Sequence, residues 1–219
     1  MIDALVFDAY GTLIDVQSVG AQCEALWPGQ GPSVSRMWRA KQLEYSWLRT
    51  LMGRYVDFEA LTADALRWTC ESLGLSCGAT EVEQLLAAYR NLPVFPDVIP
   101  ALRGMANRKR AILSNGSPAL LQATVQNSGL DALIDVVLSV DTLRLYKPDP
   151  RVYQLAVDTL QVEAGRIGFV SANGWDIAGA GSFGFQTYWI NRSGVPRERL
   201  AMEPDHELSA LADLVAVLR

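Results

Sequence analysis

The chain has 219 residues, half of them hydrophobic and a fifth charged, so it can bury a core and is far from a disordered composition. A net charge of −5 and a pI near 4.9 argue against nucleic acid as a partner, because no basic run offers phosphates a counterion-releasing face. The apolar stretches are short and broken by charge, and MIDALVFDAY has neither a basic n-region nor a long apolar h-region, so no membrane association is expected and the cytoplasm is the expected location.

The first predicted element is the apolar run Ala4 to Phe7, a buried strand that stops at Asp8 before Tyr10, Gly11 and Thr12. From about Asp15 to Leu92 the pattern is helical, broken at Gly29 to Pro32, Gly53 and Gly74, with no convincing strand. After Pro93 and Pro96, alternation resumes. A helix near Asp97 to Asn107, a strand over Arg110 to Ser114, and a helix opening at Pro118 and capped near Gly129 are expected. There follow a strand over Val136 to Ser139, a helix from about Pro150 to Val162, strands over Ile167 to Ser171 and Thr187 to Ile190, and a closing helix after Ser209. Alternating strands and helices imply an α/β fold, a Rossmann-like doubly wound parallel sheet that binds ligands beyond the C-terminal ends of its strands.

The residues where strands stop carry the candidate chemistry. Asp8 can be a nucleophile or a loop acid. Ser114 to Pro118 runs from a strand end into a helix N-terminus, where free N–H groups favour an anion, and simple capping by Ser117 or Asn115 is compatible with that. Lys147 lies in a proline-stiffened loop and reads either as an ammonium at the sheet edge or as a solvated surface lysine. Asp176, in the run from Ser171, could handle a water, while Asn173 or Asp176 could cap the next helix. Arg39 sits on an aromatic-rich helix from Ser35 to Leu51, mostly a packing surface, from which a guanidinium could enter a cleft. Cys23, Cys70 and Cys77 match no zinc or disulfide pattern and read as reduced thiols, and the single His206 leaves little room for a histidine-based triad.

Taken in order, Phe7 to Leu13, Leu113 to Pro118, Tyr146 to Pro148 and Ser171 to Asp176 resemble the motifs of L-2-haloacid dehalogenases of the haloacid dehalogenase superfamily, over nearly the whole chain. Trp38 to Arg49 and Met52 to Tyr55 also resemble this subfamily. The resemblance implies a core of residues 1–14 and 93–219, with a helical cap of residues 15–92. It implies in-line attack by Asp8 on C2 of an (S)-2-haloacid, inversion, and hydrolysis of the aspartyl ester to an (R)-2-hydroxyacid, with no metal or other cofactor.

By the same resemblance, Thr12 and Ser171 orient Asp8, and Asn173 and Asp176 position or activate water. Ser114, the Asn115 backbone and Lys147 hold the substrate carboxylate, while Arg39, the Asn115 side chain and Trp175 cradle halide. Tyr10, Leu43, Phe58, Tyr153 and Trp175 surround the cleft. Ala40 and Ala172 depart from the glutamine and serine of several relatives. The partner is a small 2-haloalkanoate, and a homodimer is implied. A superfamily phosphatase would carry a second aspartate where Tyr10 stands and an acidic pair near Asp176, and a Mg²⁺ ion wants several oxygen ligands. Ring-opening hydrolysis of azetidine-2-carboxylate is a further alternative on the same scaffold.

Overall fold

Ala4, Leu5, Val6 and Phe7 are all apolar with no polar alternation, the pattern of a strand covered on both faces. In the computed structural model, which describes residues 2–218, they form β1 (Ala4–Phe7), a central strand with none of its residues exposed. Met1 and Arg219, the outer limits of the expected core, lie outside the described residues. The remaining strands are β2 (Lys109–Ser114), β3 (Val136–Ser139), β4 (Ile167–Ser171), β5 (Gln186–Ile190) and β6 (His206–Leu208).

The sheet order is β3-β2-β1-β4-β5-β6 and every pairing is parallel, with Val6 opposite Ala111 on one side and Phe169 on the other. The chain winds outward from β1 to β3, then returns to β4 and winds the other way. That reversal opens a crevice beside the C-terminal end of β1, where Asp8 follows.

Between β1 and β2 the chain inserts α1 (Val19–Leu26), α2 (Gly31–Leu51), α3 (Phe58–Ser72) and α4 (Ala79–Tyr89) before α5 (Val98–Gly104). α2 starts with Pro32 in its first turn, and the Asp57 carboxylate caps α3 by accepting from Ala60 N–H at 2.8 Å. Trp38 of α2 donates its indole N–H to the Thr62 carbonyl of α3 at 2.9 Å, fixing the two helices together. The chain enters and leaves this helical segment through two adjacent extended segments joined by an isolated bridge. Asp15 N–H donates to the Pro93 carbonyl at 2.8 Å, Phe95 N–H to the Leu13 carbonyl at 3.0 Å, and Ile14 bridges Val94.

The sheet is flanked by α6 (Pro118–Asn127), α7 (Pro150–Leu160), α8 (Gly174–Phe183) and α9 (Leu211–Val217) as well as α5. Two helices end earlier than expected and one strand is additional. The helix after Asp97 ends at Gly104, because Met105 leaves helical backbone and a turn returns Arg108 N–H to its carbonyl. The helix after Asp149 ends at Leu160, where Gln161 turns left-handed. β6 was not expected at all. It is short and its residues face solvent in part; the Asp205 carboxylate pulls the segment alongside β5 by accepting from Thr187 N–H and Oγ1 at 2.8 and 2.9 Å. His206 stacks on the Tyr188 ring there. Among the described residues, the three cysteines are unpaired, Cys23 and Cys70 are buried, and no helix is long and apolar enough to cross a membrane.

Candidate active site

β1 hands Asp8 to the crevice while still in register, its N–H donating to the Val170 carbonyl of β4 at 2.9 Å. A tight turn follows, with Gly11 at φ +90°, a conformation that glycine adopts without a Cβ penalty. The turn brings Thr12 back over Asp8. Ala172 N–H donates to the Thr12 hydroxyl at 2.8 Å, so that hydroxyl must spend its own proton on Asp8 Oδ2, 3.0 Å away.

Ser171, the last residue of β4, is arranged the same way. It accepts from Asn173 N–H at 3.0 Å and donates to Asp8 Oδ2 at 3.4 Å. Asn173 Nδ2 adds a third donor to that oxygen at 2.8 Å, and also reaches the Tyr10 carbonyl at 3.2 Å. Asn173 stands at the cap position of α8 but its side chain does not cap the helix, nor does that of Asp176. The expected capping role is corrected: the amide is drawn off to Asp8. One carboxylate oxygen therefore faces three donors, while Oδ1, among the described residues, faces only Lys147 Nζ at 3.1 Å.

Lys147 is 1% exposed, which rules out the solvated surface lysine. Its N–H donates to Asn115 Oδ1 at 3.0 Å, and its Nζ bridges Asp8 to Asp176 Oδ2, the latter at 2.8 Å. Burial alone would lower the ammonium pKa, but Asp176 and Asp8 outweigh burial and hold it above the ordinary lysine value. Asp176 is fully enclosed. Burial pushes its carboxyl up to about 6, against the pull of Lys147 and with the help of the Asp8 charge. Its other oxygen accepts from the Tyr153 hydroxyl at 2.7 Å, and burial followed by the Asp176 charge keeps that phenol well above 10.

Ser114 and Ser117 flank the start of α6. The Ser114 hydroxyl accepts from Gly116 N–H at 3.2 Å, and Ser117 caps α6 by accepting from Leu120 N–H at 3.2 Å. Tyr10 stacks on Phe58 with ring centroids 6.0 Å apart and sits within 3.4 Å of the Thr124 hydroxyl. Asp8, Thr12, Asn115, Lys147, Tyr153, Ser171, Asn173 and Asp176 thus form one hydrogen-bonded network. Arg39 and Leu43 stand apart from it, lining a cavity of about 740 Å³ with Val16, Trp38 and Tyr89. Lys147 and Trp175 line a different cavity of about 650 Å³, with Trp47 and Leu51. Tyr153 is wholly enclosed behind Asp176 rather than on a cleft wall.

Two residues escape the sequence patterns. Glu59, in the first turn of α3, accepts from the Ser117 hydroxyl at 2.6 Å and ties the helical segment to α6. Gln42, a polar residue on the buried face of α2, accepts from Arg39 Nη1 at 2.7 Å. An i, i+4 relation to buried Trp38 was the available signal for Gln42; Glu59 has none beyond following a cap residue.

Fold and site together define a class: a doubly wound α/β protein with a desolvated aspartate at the end of its central strand and a helical segment inserted directly after it. A family model described as haloacid dehalogenase-like hydrolase matches residues 2–184. The chain is 48% identical to an (S)-2-haloacid dehalogenase of Pseudomonas sp. (strain YL), over 98% of this chain and 93% of that protein. It is 44% identical to haloacetate dehalogenase H-2 of Moraxella sp. (strain B), over 99% of each. The solved structure of L-2-haloacid dehalogenase from Xanthobacter autotrophicus with chloropropionic acid covalently bound superposes with a TM-score of 0.94 at 43% identity, over 100% of this chain and 99% of that one. The chain belongs to the haloacid dehalogenase-like hydrolases.

Proposed function

We propose that the protein hydrolyses short-chain (S)-2-haloacids to (R)-2-hydroxyacids through an ester on Asp8. The observation that carries this is the asymmetry of the Asp8 carboxylate. Oδ2 is held by Thr12, Ser171 and Asn173, leaving Oδ1 to attack C2 and expel halide with inversion. In the ester, Oδ2 is the carbonyl oxygen. The same three donors then stabilise the oxyanion that forms when water adds to the Asp8 carboxyl carbon. Asp176 takes one proton of that water and returns it to the C2 oxygen as the tetrahedral intermediate collapses, which breaks the ester bond and releases the hydroxyacid; the Asp8 carboxyl left behind loses the water's second proton to solvent and is again a carboxylate. Holding the reactants in line is worth about 7–11 kcal/mol.

The resemblance supplies roles for the remaining site residues. Ser114, the Asn115 N–H and Lys147 receive the substrate carboxylate. The Asn115 carbonyl oxygen is occupied by Lys147 N–H, so its Nδ2 is the group left for halide, together with Arg39 and Trp175. Tyr10, Leu43 and Phe58 shape the apolar surroundings. Residues 15–92 act as a cap over a core of residues 1–14 and 93–219, tied to it by Glu59 with Ser117 and by the Tyr55 hydroxyl donating to Asp141 at 2.7 Å.

A Mg²⁺-dependent phosphatase fits these residues poorly. The Lys147 ammonium fills the space between the two acids of the site, and Tyr10 stands where a second aspartate would be needed. No cofactor enters the proposed reaction. We further propose a cytoplasmic homodimer. Leu48, Leu51 and Met52 expose an apolar end of α2, with Leu51 83% exposed, a surface a second copy would cover; a monomeric mass by light scattering at micromolar concentration would exclude it.

The test is halide release from each enantiomer of 2-chloropropionate in EDTA-treated buffer, with Asp8→Asn as the blank. Release from the S form alone, absent in the variant, is expected. No release from either enantiomer would overturn the proposal and direct assays to phosphate esters and azetidine-2-carboxylate.

A further inference from the structure

The interior of the helical segment holds a polar residue with no part in the chemistry above. Gln42 lies on the inner face of α2, one turn after Trp38, and is 1% exposed. Its partner across the helix seam is Thr62 of α3, also 1% exposed, whose Oγ1 accepts from Gln42 Nε2 at 2.7 Å. A primary amide buried at a helix–helix seam costs free energy unless both of its ends are bonded, and an apolar side chain would pack there at no such cost.

Both ends are bonded, and in only one orientation. Arg39 can only donate, so the amide oxygen of Gln42 faces the guanidinium and the NH₂ faces Thr62. Arg39 Nη1 is thereby anchored at 2.7 Å to a group that is itself anchored to the next helix. Arg39 and Tyr89 line the same cavity, and the Tyr89 ring lies 6.1 Å from that of Tyr10. Tyr10 is two residues from Asp8. A free arginine samples many rotamers, and anchoring one nitrogen pre-orders the rest of the fork.

We propose that Gln42 is a positioning residue for Arg39, holding its guanidinium toward the place where halide leaves Asp8-bound substrate. This rests on the dehalogenase function proposed above. Gln42 touches no reacting atom. Its effect is on the step in which the carbon–halide bond breaks, so it acts more on kcat than on KM, and more on chloride than on bromide, the better leaving group.

The experiment is steady-state kinetics of Gln42→Met, alone and combined with Thr62→Val, on (S)-2-chloropropionate and (S)-2-bromopropionate. The double variant removes Gln42 and Thr62 together, so neither is left unpaired across the helix seam, and an unchanged Tm verifies that the fold is kept. Expected is a fall in kcat for the chloro acid of about 10- to 100-fold, the scale of a small misplacement. KM should change little and the bromo-to-chloro rate ratio should rise. In an Arg39→Lys background the same substitutions should add no further loss. Unchanged kcat and ratio in the folded double variant, or full loss added to that of Arg39→Lys, would overturn the proposal. Failure of the dehalogenase function itself is seen separately, as absent halide release from the wild-type protein.

Discussion

Lys147 Nζ lies 2.8 Å from Asp176 Oδ2, and neither side chain reaches solvent. The pair is not a simple two-charge bridge, because Asp8 claims the same ammonium at 3.1 Å. One positive charge serves two carboxylates, and burial displaces Asp176 upward to about 6 against the pull of that ammonium and of the Tyr153 hydroxyl.

A pH dependence follows. If Asp176 accepts the water proton, it must be ionised, so kcat should fall as pH drops through about 6. Asp176→Asn should lose most activity and show no such limb. Stability should move the opposite way for this group. Its folded pKa is raised, so its contribution is full below the ordinary value near 4 and is lost as pH rises through about 6. Stopped-assay pH profiles of both proteins check the point; an acid limb retained in Asp176→Asn would assign it to another group.

Removing the ammonium should be severe. Lys147→Met leaves two buried carboxylates with no counter-charge, and breaking a buried pair in this way costs about 3–5 kcal/mol. The loss should be larger at pH 8 than at pH 5, since protonation of Asp176 relieves the repulsion. Chemical denaturation at the two pH values measures it. Equal losses would mean that the remaining carboxylates are hydrated in the variant.

Loss of one oxyanion donor should separate the two half-reactions. In Asn173→Ala, Oδ2 keeps only Thr12 and Ser171, and the missing donor should slow ester hydrolysis about 10²–10³-fold. Ester on Asp8 should then accumulate, visible as an intact-protein mass increase after incubation with substrate. Slow turnover with no adduct would place the effect before bond formation instead.

Gly179 sets the position of Tyr153. A Cβ at that residue would lie 2.5 Å from the Tyr153 hydroxyl and 2.6 Å from Pro148 Cβ, so the side chain must give way. Gly179→Ala should therefore weaken the donation to Asp176 and move the acid limb of kcat upward, as should Tyr153→Phe. The two pH profiles should agree. A Gly179→Ala limb at the wild-type position would show that Pro148 yields and Tyr153 does not.

Much of this was visible in the sequence because the fold places chemistry at strand ends. Ala4 to Phe7, Arg110 to Ser114 and Ile167 to Ser171 read as strands from their largely apolar runs, and Asp8, Ser114 and Ser171 are simply the residues that follow or close them. Contacts bridging distant segments were beyond reach. Nothing local to Asn115 indicates that its oxygen serves Lys147, 32 residues on, and nothing near Glu59 points to Ser117. β6 was missed for the same reason, since its strand character is imposed by Asp205 on Thr187 rather than by its own side chains. Nothing in the sequence around Arg39 indicates that it is held by Gln42.

The paired crossing of Leu13 to Asp15 against Pro93 to Phe95 has a consequence for how such a chain can change. Entry and exit stand side by side like the two legs of a staple, so the geometry of Asp8 is closed off before the helices begin. Length and sequence between the legs can change or be exchanged without moving Asp8, although the contributions of Arg39, Gln42 and Glu59 would go with them. What such an exchange alters is which molecules are admitted, while the reacting carboxylate keeps its place.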